Sequence, residues 1–223
     1  MPDGQYSFYL HSDDRTDIAA MATISTISQP LRGEFIRTAA TAGAVVYQVD
    51  ARLPALIPVF FAGQLSAVRL CAVMALVSGT WSSLTGLPDE PENGEAALPV
   101  SPETEYQRRR YTLTLQNGRS GERVESVLTE ASSRLRGDLL RNLIITGLAL
   151  HTTAPELPRL LASMPVPPTS VSELQALVQQ MAGTAAVSRA AAAVPDTPAT
   201  SAAPVSGSDT REIKKNMRRA FGD

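Results

Sequence analysis

The chain has 223 residues, of which 43% are hydrophobic, 19% charged and 5% aromatic. That length suits one or two domains, and the abundance of Ala, Ser, Thr and Pro leaves part of it without a core. The 20 Lys+Arg against 22 Asp+Glu give a net charge of −2, which taken whole argues against a polyanionic partner. The distribution reverses this locally. Asp89, Glu90, Glu92, Glu95, Glu103 and Glu105 fall in one stretch without a basic residue. Arg108, Arg109 and Arg110 follow at once, and Arg211, Lys214, Lys215, Arg218 and Arg219 gather near the C-terminus. One cysteine, Cys71, excludes an internal disulfide and suits a reducing cytosol; in its apolar run it reads as a packed thiol. Met1 to Asp17 has no signal-peptide pattern. The most hydrophobic stretch, Leu53 to Val77, is interrupted by Pro54, Pro58, Gln64 and Arg69, unlike a spanning helix of about 20 apolar residues. A cytoplasmic protein with no membrane partner is expected.

In chain order, Gln5 to His11 alternates with the period of a half-buried strand, Tyr6, Phe8 and Leu10 on one face and Gln5, Ser7, Tyr9 and His11 on the other. Ser12-Asp13-Asp14 signals a helix start, with a face marked by Ile18, Met21, Ile24 and Ile27. Gln29-Pro30 breaks that helix, and a second runs from about Leu31 to Tyr47. Helical sequence continues over Leu53–Val77. Gly79 to Glu105 is rich in Pro, Gly and acids and reads as a linker in which Trp81 and Leu84 pack locally. A second strand is expected over Tyr111–Gln116, then an Asn117-Gly118 turn, helices at about Gly121–Ser132 and Arg136–His151, and more helix over Leu157–Met181. Gly183 to Gly207, poor in bulky apolar residues, is expected to be disordered. Beyond it, Asp209 and Glu212 have capping-box spacing, and Ile213, Met217 and Phe221 share one face of a short basic helix, the form of a motif that folds on a partner.

The halves repeat each other. Leu31-Arg32-Gly33-Glu34-Phe35-Ile36-Arg37 returns as Leu135-Arg136-Gly137-Asp138-Leu139-Leu140-Arg141, an offset of 104, and each copy runs on to a glycine (Gly43, Gly147) and a Leu-Pro pair (Leu53-Pro54, Leu157-Pro158). The strands, Tyr6 against Tyr111, are offset by 105. A strand with two helices is too small to be a domain; two such units can make one. The domain reading is 1–78 for the first unit with extra helices, 79–106 linker, 107–182 second unit with extra helices, 183–207 disordered linker and 208–223 tail.

These residues resemble the ribbon-helix-helix proteins and, within them, the ParR (StbB-like) adaptors of plasmid partition. The resemblance rests on the alternating strand, the Arg-bearing start of the second helix, its Ala-Gly-apolar run (Thr41-Ala42-Gly43-Ala44-Val45; Ile145-Thr146-Gly147-Leu148-Ala149) and the exit Asp50-Ala51-Arg52-Leu53-Pro54. Separately, Ser208-Asp209…Lys214-Lys215-Asn216-Met217 resembles the ParR tail that contacts its actin-like motor, ParM. ParR carries one unit and dimerises, so two fused units imply an intrachain pseudo-dimer. The expected fold is mainly α with a short antiparallel β-ribbon, a tandem ribbon-helix-helix pseudo-dimer with additional helices and a disordered tail.

The ribbon would enter the major groove of double-stranded DNA. Alternation assigns base contacts to Gln5, Ser7, Tyr9, His11, Arg110, Thr112, Thr114 and Gln116, unequal between the copies, so an asymmetric half-site is expected. The plain alternative is a hairpin with a solvated polar face. Phosphate contacts fall to Arg32, Gly33, Arg136 and Gly137 at helix starts; alternatively these arginines cap the surface or pair with Glu34 and Asp138. The tail residues Ile213, Lys214, Lys215, Met217, Arg218 and Phe221 would bind an actin-like ATPase filament, the alternative being a frayed basic end or a nonspecific DNA contact. The extra helices would stack neighbouring molecules into an array. His11 and His151 stand apart from any ligand cluster, and no nucleophile–base pair, P-loop or dinucleotide fingerprint occurs, so neither catalysis nor a cofactor is expected. Competing readings are a TraY-like conjugation accessory, a transcriptional repressor on the same fold, and an antitoxin-type protein whose tail masks a partner.

Overall fold

The chain's computed structural model describes residues 4–80 and 107–192, with side chains described as far as residue 183. The first compact unit covers Met1–Ser188; the second, Arg189–Asp223, is described to Ala192. The expected local packing of Trp81 and Leu84 in the linker and the tail at 208–223 lie outside the described residues.

Strand β1 (Gln5–His11) pairs antiparallel with β2 (Arg108–Thr114) in a two-stranded ribbon. Ser7 faces Thr112, its own counterpart at the strand offset of 105, so a pseudo-twofold axis passes between them. Phe8, Leu10, Leu113 and Leu115 are buried beneath, and Phe8 stacks on Tyr111 with ring centroids 5.2 Å apart. β2 starts three residues earlier than expected, because Arg108 to Arg110 pair with His11 to Tyr9. Their side chains stay exposed, so joining the ladder costs no charge burial. Ser12 N–H donates to the Gln107 carbonyl, and Leu115 N–H to that of Gly4, closing both ends.

Helix α1 (Arg15–Ser25) is capped by Asp14, whose carboxylate accepts from Asp17 N–H. Its buried residues are Asp17, Ala19, Ala20 and Ile24; the expected marks Ile18, Met21 and Ile27 are half-buried. Ile24 thus reaches the core beside the small Ala19 and Ala20, while Ile18, Met21 and Ile27 lie at the rim of the contact. Helix α2 (Arg32–Val49) follows a short 3-10 turn at Gln29–Leu31. The Leu53–Val77 stretch resolves into α3 (Leu53–Leu56), a 3-10 turn at Ile57–Phe60 and α4 (Ala67–Ser78). Gly79, at φ 71°, ends α4 in the left-handed conformation, where the linker was expected to begin.

The second half repeats the order with α5 (Arg119–Glu130), α6 (Arg136–Thr153) and α7 (Leu157–Ser163). The turn before α5 is Asn117-Gly118, with Gly118 at φ 131°, one residue shorter than Ser12-Asp13-Asp14. That accounts for the change in offset from 105 to 104. Helix α8 (Val171–Ala192) passes through Gly183, where disorder was expected to start. The run Ala185-Ala186, Ala190-Ala191-Ala192 has the highest intrinsic helix propensity, and lack of bulky side chains is no obstacle to it.

Helices α2 and α6, at 18 residues each, form the centre of the core. A side chain on Gly43 would fall on the backbone carbonyl of Leu143, and one on Gly147 on that of Ala39. The offset of 104 carries Gly43 to Gly147 and Ala39 to Leu143, so each close contact is the image of the other. Nearby, the Thr146 hydroxyl is fully buried without a hydrogen-bond partner among the described residues. An unpaired buried hydroxyl costs about 1–3 kcal/mol. Thr146→Val should therefore raise stability by about 1 kcal/mol in urea denaturation; an unchanged or lower midpoint would contradict this.

Candidate nucleic-acid interface

The outer ribbon face collects side chains from both repeats. In register it presents Gln5 with Thr114, Ser7 with Thr112, Tyr9 with Arg110 and His11 with Arg108. Arg110, Thr112 and Thr114 are exposed, as is Gln5; Ser7, Tyr9 and His11 are half-buried. Gln116 is exposed two residues past the end of β2. The Arg110 guanidinium donates to Ser7 Oγ from Nε at 3.2 Å and Nη2 at 2.9 Å. Arg108 lies over the Tyr9 ring, 3.5 Å from its centroid, a cation–π stack. Arg108 was absent from the expected base-facing set, although its parity with Arg110 was the available signal; the strand was expected to start too late.

The helix starts were expected to hold phosphates. No side chain caps α2 or α6, which leaves their first turns open to an anion. Gly137 approaches the Ser7 carbonyl, so the start of α6 adjoins the ribbon's centre. The two arginines are occupied differently. Arg32 Nε donates to the Ile27 carbonyl at 2.7 Å and its Nη2 to that of Ser25 at 3.2 Å, and Arg136 Nε donates to the Ala131 carbonyl at 3.2 Å. Both thus tie a helix start to the end of the preceding helix, close to the capping alternative. Glu34 and Asp138 stand in the same first turns. Leu31 and Leu135, just before them, are 56% and 58% exposed, a matched apolar pair. The expected tail contacts, Ile213, Lys214, Lys215, Met217, Arg218 and Phe221, lie outside the described residues.

One ion-pair group went unnoticed in the sequence. Arg141 Nε donates to the fully buried Asp17 carboxylate at 2.6 Å, and Arg141 Nη2 lies 3.2 Å from Asp14. Asp17 also accepts the His11 N–H at 2.9 Å. This ties the end of β1, the start of α1 and α6 of the other repeat together. Burial raises the Asp17 pKa above the usual carboxylate value, against the opposing pull of Arg141 and the His11 N–H. Asp13, Asp14, Asp17 and Asp138 line an open depression of about 420 Å³ with Arg141 and Asn142. At the end of α2, Arg52 pairs with Asp50 at 2.7 Å and donates to the Val77 carbonyl at 2.8 Å, holding the end of α4; its hydrogen bond lowers the Asp50 pKa. Among the described residues no three His, Cys, Asp or Glu side chains form a possible metal group.

Two strand–helix–helix units closing about one ribbon define a fused pseudo-dimer whose outer strip is polar and flanked by helix N-termini. The sequence profile of a family described as "Plasmid stability protein" matches residues 4–74 and 109–178, one match per repeat and together well over half of the chain. The chain belongs to that plasmid stability family. Neither the curated proteins nor the solved structures provide a match. No helix among the described residues is long and apolar enough to cross a membrane.

Proposed function

We propose that the chain is a DNA-binding adaptor of plasmid partition. Its ribbon enters the major groove of centromere-like repeats in double-stranded plasmid DNA, and its C-terminal peptide couples the complex to an actin-like, ParM-type filament. The observation that carries the DNA half is the register. It aligns Gln5, Ser7, Tyr9 and His11 with Thr114, Thr112, Arg110 and Arg108 in one strip, and such a ribbon fits a groove about 12 Å wide. Membership of a plasmid stability family supports the setting. The filament half rests on the sequence of the tail, in which Ile213, Met217 and Phe221 recur every four residues among basic residues, the spacing of an apolar face on a peptide that folds on its partner.

Assembly into an array gives the weak tail contacts avidity. Val68 and Leu76, eight residues apart on α4 and 45% and 58% exposed, offer an apolar strip for contact with a neighbouring copy. The role is one of binding in the cytoplasm, without catalysis or a cofactor.

The full chain should bind duplexes from its plasmid's repeat region at least tenfold more tightly than unrelated duplexes, with affinity falling as salt rises. Removing residues 208–223 should leave that binding intact, abolish co-sedimentation with the plasmid's actin-like filament and raise plasmid loss. Equal affinity for all duplexes would sink the DNA half. Normal inheritance without the tail would sink the filament half.

A further inference from the structure

Around the Ser7–Thr112 centre, the two ends of the ribbon carry different chemistry. Towards one end stand both face arginines, opposite Tyr9 and His11; towards the other stand Gln5 and Thr114. Each arginine is pre-positioned. Arg108 is stacked on Tyr9, and Arg110 is held through Nε and Nη2 by Ser7. Stacking uses the flat face of a guanidinium and leaves its N–H edge free of that contact. The Ser7 contact leaves Nη1 of Arg110, and the remaining Nη2 hydrogen, for a second acceptor. A guanidinium fixed in orientation matches the paired O6 and N7 acceptors of guanine, whereas Gln matches adenine N6 and N7 and Thr accommodates a thymine methyl.

We infer that, on the DNA-binding reading above, the ribbon reads its site with fixed polarity: Arg108, seated on Tyr9, and Arg110 read guanines at one end, while Gln5 and Thr114 read A·T pairs at the other. From Arg108 to Thr114 the strand spans roughly 20 Å, about six base pairs at 3.4 Å each. The target is therefore a short, non-palindromic duplex, and tandem copies bind the chain in one orientation. Asp13, Asp14 and Asp138 lie in the depression beside His11 at the arginine end. They disfavour nonspecific phosphate contact there and leave the base contacts to set affinity. In this arrangement Tyr9 positions Arg108 and does not itself read a base.

The test is selection from a randomised duplex library with the full chain, followed by affinity measurement on the recovered sequence. The expected motif has guanines at one end and A·T pairs at the other. Replacing its guanines with 7-deazaguanine, which lacks the N7 acceptor, should weaken binding roughly tenfold. Arg108→Lys keeps the charge but loses the planar fork; it should erase the preference for the outermost guanine while retaining the melting temperature and the salt slope. A palindromic motif, indifference to 7-deazaguanine, or an unchanged guanine preference in Arg108→Lys would overturn the polarity and leave DNA binding standing. Failure to bind any duplex would overturn both.

Discussion

Gly147→Val is expected to cost about 3 kcal/mol or more, and Gly43→Val to cost the same within about 1 kcal/mol. The reason is specific to these positions. A Cβ at either site falls on backbone, the carbonyl of Ala39 or of Leu143, and a main-chain atom inside a helix cannot rotate away as a side-chain end can. Helices α2 and α6 must separate, loosening the core they share with Phe8 and Leu113. For a packed region of this size the loss corresponds to a fall in melting temperature of about 6–12 °C. Gly147→Ala isolates the steric part, because alanine gains about 1 kcal/mol of helix propensity over glycine and should still be less stable than the original. Thermal unfolding of both valine variants checks the argument. A variant melting within 2 °C of the unaltered chain would refute the close crossing, and a large difference between the two would refute the pseudo-twofold relation of the contacts.

Arg141→Met should destabilise the chain by about 3 kcal/mol at neutral pH, because it strands the buried Asp17 carboxylate. The His11 N–H then remains as the hydrogen bond from β1. The effect has a definite pH dependence. Burial already places the Asp17 pKa above its unfolded value, so the folded state holds this proton more tightly. Its contribution is fullest below the unfolded pKa, and stability falls as pH rises through the window up to the folded pKa. Without Arg141 the folded pKa climbs further and the window widens. The gap between Arg141→Met and the original should therefore be largest near pH 7 and shrink as the medium is acidified through the Asp17 titration. Adding Asp17→Asn, which removes the charge but keeps an acceptor for His11 N–H, should recover most of the loss. Urea midpoints at pH 7 and at acidic pH measure this, and a gap that grows on acidification would disprove it.

Much of the architecture was legible because its signals are periodic or repeated. Alternation placed β1 at Gln5–His11 to the residue and put Phe8 and Leu10 inside. The doubled Leu-Arg-Gly motif located α2 and α6, each running on to a glycine, and the structure puts Gly43 and Gly147 at the close crossing of the two helices. Signals that depend on a partner were not legible. The early start of β2 comes from pairing with His11, which a run of three arginines does not advertise. The Asp17–Arg141 pair joins residues 124 positions apart, and nothing local marks Asp17 as buried. Arg32 and Arg136 stood out in the repeat, but their hydrogen bonds to the ends of α1 and α5 depend on where those helices stop. At the boundary near Gly183, low hydrophobicity was read as disorder, whereas alanine-rich sequence continues a helix already started.

By itself the sequence determined the duplication, the two faces of each strand and the unlike chemistry of the two copies, because periodicity and composition are properties of neighbouring residues. Tertiary structure decided the register. Pairing Ser7 with Thr112 puts both face arginines at one end of the ribbon; a shift of one residue would turn the outer side chains inward. The buried Phe8, Leu10, Leu113 and Leu115, and the glycine crossing of α2 on α6 beneath them, hold that register and so set the direction of the polar strip.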